Sequence, residues 1–151
     1  MIYYVIIAAI VAADQVVKHM IASGMTPGES VPVIDGILNI SYIRNTGAAF
    51  SAFSSHTWML IVITSVLMAV GLVYVTRHRK DRNRMLMTAL AVIIGGGAGN
   101  LIDRIVNGYV VDFIQVGAWP VFNIADISVC TGCGLLCIYI IFIDGRKHGR
   151  R

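Results

Sequence analysis

Two aspartates, Asp112 and Asp126, lie near the ends of the apolar stretch VVDFIQVGAWPVFNIAD, residues 110–126. Unpaired carboxylates in such surroundings are costly, so each needs a reason. Asn123-Ile-Ala-Asp126 fits a helix N-cap followed by an acid at N3, which would start a helix after Pro120. Capping accounts for Asp126 and leaves Asp112 without an explanation. A second account is compatible with it. A loop of about ten residues containing Gly117 and Pro120 can return the chain and set the two carboxylates opposite each other. Carboxylates within hydrogen-bonding reach cannot both ionise cheaply, so they share a proton. One then deprotonates a water while the other protonates or polarises a carbonyl, as in aspartic proteases. The first-turn position of Asp126 and the apolar neighbours Val111, Phe113 and Ile114 predict that the shared proton rests on Asp112 and that Asp126 is the base.

Rival chemistries lack their residues. There is no Gly-x-Ser-x-Gly, no cysteine has a neighbouring histidine, and His19, His56, His78 and His148 show no His-Glu-x-x-His spacing. Cys130, Cys133 and Cys137 share one helical face and read as small buried thiols in helix packing, not as a metal site. Asp14 and Lys18 stand one helical turn apart, acid first, the favoured order for an ion pair. Two readings of them stay open: a pair that neutralises itself near lipid headgroups, or part of a functional site inside the membrane. Gly95–Gly99 predicts close backbone approach, and no Lys-Ser/Thr follows to make it a nucleotide loop. Asn100, Asp103 and Arg104 come next on one face. The two charges could mark the membrane interface, but their alignment with Asn100 favours a polar cluster facing the bundle interior.

The elements that must position these groups follow from composition. Of 151 residues, 57% are hydrophobic and only 13% charged, with a mean hydropathy of +0.77. The apolar residues form blocks, at Met1–Ala13, Thr57–Thr76, Met85–Asn100 and Ile127–Ile143. With the polar turns that follow the first and third, they predict a mainly α membrane protein of one domain, with four spans at about 2–22, 57–76, 85–105 and 126–144. The first block lacks the basic flank of a cleaved signal peptide and is read as a retained span. Nine of the twelve Lys and Arg residues fall in 77–84 or 146–151, so the positive-inside rule puts both termini and that loop in the cytoplasm. The net charge of +4 then reflects topology and requires no nucleic-acid partner. Segments 23–56 and 106–125 lie outside. Within 30–53, β-branched and aromatic residues around Asp35-Gly36 predict a small β-sheet, Asn45–Phe50 turns the chain back, and Tyr109–Val116 reads as a further strand.

Five motifs, in order, resemble those of the bacterial lipoprotein signal peptidase (signal peptidase II) family: Asp14-x-x-x-Lys18, Asn45-Thr-Gly-Ala-Ala-Phe50, Gly96-Gly-Ala-Gly-Asn-Leu-Ile-Asp103-Arg104, Val111-Asp-Phe113 and Phe122-Asn-Ile-Ala-Asp126. The resemblance spans essentially the whole chain. It implies an aspartyl endopeptidase with Asp112 and Asp126 as its dyad, without metal or other cofactor. It places Asp14, Lys18, Asn45, Gly47, Asn100, Asp103, Arg104, Asn123 and Ala125 along or behind the site. The implied substrate is a prolipoprotein bearing a diacylglyceryl group, cut just before the lipidated cysteine at the outer face of the bacterial cytoplasmic membrane. The family's outer β-cradle maps onto 30–53. The rival class is a small proton-coupled carrier or channel using the same carboxylates, and it would want polar residues along the inner halves of the spans too. A purely structural membrane subunit gives no reason for the Asp pair.

Overall fold

The computed structural model describes residues 1–47, 57–78 and 83–144. In chain order the elements are α1 (Ile2–Gly24), β1 (Ser30–Ile34), β2 (Leu38–Asn45), α2 (Thr57–His78), α3 (Arg84–Asn107), β3 (Val110–Val116) and α4 (Ile124–Ile138). The last helix runs on as a π-helical segment, Tyr139–Asp144. Among the described residues, four helices are long and apolar enough to cross a membrane, with mean hydropathies of 1.8 to 2.4. At 1.5 Å per residue each reaches about 30 Å or more, the thickness of a hydrocarbon core. Their outward faces are apolar too: Val5, Val62, Val66, Val70, Ile140 and Phe142 are all exposed. The protein is a mainly helical membrane protein with a small sheet at one end of its bundle.

The third helix is the hub, packed against the other three. Its glycines make this possible, because helix contact in a lipid-like solvent depends on close van der Waals fit. A Cβ at Gly96 would run into the carbonyl oxygen of Ala125, and one at Gly99 would come within 2.5 Å of Asp14 Oδ2. Across the same contact, a Cβ at Gly132 of α4 would lie 2.6 Å from Ile93 Cγ1. Away from the sheet the bundle closes over an apolar core of Tyr3, Val75, Met87, Ala91 and Ile94.

The face of α4 that meets α3 consists of Ala125, Ser128 and Gly132. This corrects the expectation of buried thiols, since Cys130, Cys133 and Cys137 are all exposed. They do share a face, but it is the outward one. Ala125, Ser128 and Gly132 occupy the contact with α3, and the sulfurs lie on the other side of the helix.

The three strands form one antiparallel sheet in the order β1-β2-β3. Asp35-Gly36 makes the first turn as expected, with Gly36 at φ 70°. The pairing of β2 with β3 was not apparent in the sequence. It sets Ile43 opposite Asp112 and Asn45 opposite Val110, with a bulge between Ile40 and Ile43. After β3 the chain doubles back, and Phe122 O accepts from Phe113 N and Ile114 N at 3.0 and 2.8 Å. That return brings Asn123 to the side of Asp112. Residues 48–53 of the expected sheet segment, with Arg79, Lys80, Arg82 and the basic residues 146–151, lie outside the described residues.

Gly96→Ala should therefore lower stability by about 1–3 kcal/mol, since backbone is what it meets. Gly134→Ala, with nothing within 4 Å, should be neutral or stabilising. Thermal unfolding of both variants in detergent micelles checks the contrast.

Candidate active site

Asn123 is fully buried and joins the two aspartates. Its side-chain oxygen accepts from Asp126 N at 2.8 Å, while its own N–H donates to Asp126 Oδ2 at 3.2 Å, which completes the capping box of α4. Its amide nitrogen donates to Asp112 Oδ1 at 2.7 Å. Capping and pairing are thus achieved by one residue. The other oxygen of Asp112 accepts from Asn45 Nδ2 at 2.8 Å. Asn45 is held in that orientation because its Oδ1 takes the N–H of Gly47, 2.9 Å away. Gly47 has φ 102°, a conformation that side-chain-bearing residues rarely adopt.

The two carboxylates sit in unlike surroundings. Asp112 is buried, and burial raises its pKa to about 6. The hydrogen bonds from Asn45 and Asn123 and the more distant Lys18 charge oppose the rise, while the charge of Asp126 adds to it. Asp126 is half-buried and lines a cavity of about 530 Å³ with Trp119, Pro120, Val121, Phe122, Ile127, Cys130 and Thr131. Its Oδ1 accepts from Asn100 Nδ2 at 2.8 Å.

Behind the pair lies a buried ionic cluster. Lys18 Nζ is 2.8 Å from Asp14 Oδ2 and 3.0 Å from Asp103 Oδ2, and it donates to Asn100 Oδ1 at 2.9 Å. The i, i+4 pair expected within α1 is therefore part of a triad spanning two helices. It forms because Gly99 lets α3 close on α1. Neither lysine nor aspartate snorkels, for both are buried. Asp14 Oδ1 accepts from Ala125 N at 2.9 Å and so satisfies a free N–H in the first turn of α4. Asp103 Oδ2 accepts from Val111 N at 3.0 Å, tying α3 to β3 next to Asp112. Arg104 is half-buried, and its guanidinium faces the charges of Asp126, Asp112 and Asp103.

All eleven residues singled out from the sequence meet at this end of the bundle. One participant was missed. Gln15 Nε2 donates to Asp103 Oδ1 at 2.9 Å and to Gly99 O at 3.2 Å, and also approaches Asp14 Oδ2 at 3.3 Å. Its only signal was an amide next to Asp14 in an apolar helix, and adjacent positions do not share a helix face.

Four membrane-length helices gather two aspartates at the end of the bundle that carries the sheet, and the family that the chain matches makes it a membrane enzyme of the aspartic type. The family model described as signal peptidase (SPase) II matches residues 6–142, and the chain belongs to that family. It is 40% identical over 151 residues to the lipoprotein signal peptidase of Bacillus subtilis (strain 168), covering 97% of each chain. With the lipoprotein signal peptidase of Bacillus velezensis it shares 42% identity, over 97% of this chain and 98% of the relative. A bacterial membrane enzyme solved by the in meso method at 1.9 Å resolution superposes with a TM-score of 0.83 at 36% identity, covering 93% of both chains.

The raised pKa of Asp112 carries a signed consequence for stability. A carboxyl that titrates at about 6 in the folded protein and near 3.8 when unfolded favours folding below the lower value. That contribution is lost as pH rises through the folded value. Asp112→Asn has no such titration. The stability of the wild type relative to this variant should therefore fall between about pH 4 and pH 7, by up to about 3 kcal/mol. Chemical unfolding of both proteins in detergent across that range measures the slope.

Proposed function

We propose that this enzyme is an intramembrane aspartyl endopeptidase that removes the signal peptide from diacylglyceryl-modified prolipoproteins, cutting just before the lipidated cysteine. The observation that carries this reading is the Asn123 side chain, which binds Asp112 at one end and caps the helix of Asp126 at the other. Asp126 is the base. It borders the cavity from the first turn of α4, the end of a helix where an acidic side chain is best placed. Asp112, whose burial favours its neutral form, is the acid. Asp126 takes a proton from water, the oxygen attacks the scissile carbonyl, and Asp112 hydrogen-bonds the developing oxyanion. Collapse breaks the C–N bond, and the cysteine nitrogen leaves with a proton delivered by the dyad.

The setting supports a lipid-bearing substrate. The cavity beside Asp126 is walled largely by apolar side chains and opens beside the outward face of α4, which carries Ile127 and Cys130. Prolipoproteins and membrane lipids are then the partners. The basic residues of 77–84 and 146–151 support cytoplasmic termini and a site near the outer face. The carrier or channel reading has less support. Among the described residues, the buried charges gather at one end of the bundle and the opposite end closes over Tyr3, Val75 and Met87. Such an arrangement offers no proton path across the membrane.

Purified enzyme should cleave a lipidated lipobox precursor and leave its unlipidated form intact, with the products read by mass spectrometry. Asp112→Asn and Asp126→Asn should each lose cleavage while remaining folded, and substantial turnover by either would remove that residue from the mechanism. Asp103→Asn should retain more activity than either, because Asp103 holds Lys18, Gln15 and Val111 but touches neither carboxylate of the dyad.

A further inference from the structure

We propose that Lys18 is a positioning residue of the active site, acting on Asp126 through the side-chain amide of Asn100. The proposal rests on the reading of Asp126 as the water-activating base. An asparagine amide can turn either its oxygen or its nitrogen towards a neighbour, and the two ends have similar shapes. Asn100 is locked one way round. Its Oδ1 accepts from Lys18 Nζ at 2.9 Å and from Asn123 Nδ2 at 3.1 Å, which leaves Nδ2 as the atom facing Asp126 Oδ1, 2.8 Å away. If the amide were reversed, it would set its oxygen against a carboxylate and its N–H groups against an ammonium.

Neutralising carboxylates accounts for only two of the three Nζ–H groups of Lys18, those directed at Asp14 and Asp103. The third is spent on Asn100, an uncharged acceptor one hydrogen bond from the dyad. A charged donor on the amide oxygen polarises the whole amide and strengthens its N–H as a donor. The other donor on that oxygen is a weaker anchor, because Asn123 Nδ2 is also directed at Asp112 Oδ1 and Val111 O. Lys18 therefore supplies both the orientation and the polarisation of the hydrogen bond from Asn100 to Asp126. The charged groups around Asp126 are Lys18 and Asp14 from α1, Asp103 and Arg104 from α3, and Asp112 from β3. Of the two cations among them, Lys18 is hydrogen-bonded to the amide that holds Asp126.

The test compares kcat, KM and the pH–rate profile for Lys18→Met, Asn100→Ala and the double variant, using a lipidated lipobox peptide. Lys18→Met should lower kcat at least tenfold, leave KM within about twofold, and move the acid limb of the profile to higher pH. The double variant should lose no more than Asn100→Ala alone, since the effect runs through that side chain. Losing Lys18 also strands two buried carboxylates, so Lys18→Met is repeated in the Asp103→Asn background, which restores the charge balance. That variant should fold, shown by its unfolding temperature in detergent, and still show a displaced acid limb relative to Asp103→Asn. Lys18→Arg, which keeps the charge, should bring the limb part of the way back. An unmoved acid limb in the charge-balanced variant, or costs that add in the Lys18–Asn100 cycle, overturns the proposal. Turnover by Asp126→Asn would instead overturn the underlying reading of the dyad, which separates the two failures.

Discussion

The capping of α4 by Asn123 is the contact from which the active end of the molecule is organised. A helix that begins inside an apolar protein exposes N–H groups that no water can satisfy. Asn123 and Asp126 answer each other across the first turn, and Asp14 reaches from α1 to take the N–H of Ala125. Once the oxygen of Asn123 is committed to that cap, its nitrogen points at Asp112. Helix start, strand position and carboxylate pairing are consequences of one amide held in one orientation.

Around this contact the protein collects polar groups that would be unstable singly. Among the described residues, every buried side-chain nitrogen or oxygen has a hydrogen-bond partner. Breaking a buried ion pair by removing one partner costs about 3–5 kcal/mol, so a network with no loose end resists change at each of its members. The same closure makes it specific. Lys18 meets Asp14 and Asp103 only when α1 lies against α3, and Asp103 meets Val111 N only when β3 is in register beside them. The glycines of α3 permit this geometry by allowing backbones closer than any side chain would.

The unequal treatment of the two aspartates follows from where each is carried. A strand pressed between helices and a second strand removes Asp112 from water, and the first turn of a helix beside a cavity leaves Asp126 partly open. Their difference is a property of the elements, since the two side chains are chemically identical. Asn45 and Gly47 extend the same logic to the sheet, where a left-handed glycine fixes an amide that in turn fixes Asp112.

Much of this was legible in one dimension. Uncharged blocks of membrane length specify helices because a bilayer accepts little else, and a carboxylate in such a block announces a site because isolation there is costly. The Asn123–Asp126 cap was readable for the same reason that it forms, being local in sequence. Tertiary structure decided whatever depends on approach between distant segments. It recruited Asp103 as the second acid on Lys18, drew Gln15 into the cluster, and joined β3 to the hairpin as one sheet. It also turned the three cysteines outward, because spacing defines a shared face but not which neighbour that face meets. Periodicity and local hydrogen bonds are written along the chain; the partner of a buried charge is settled only when helices are brought within the length of a side chain.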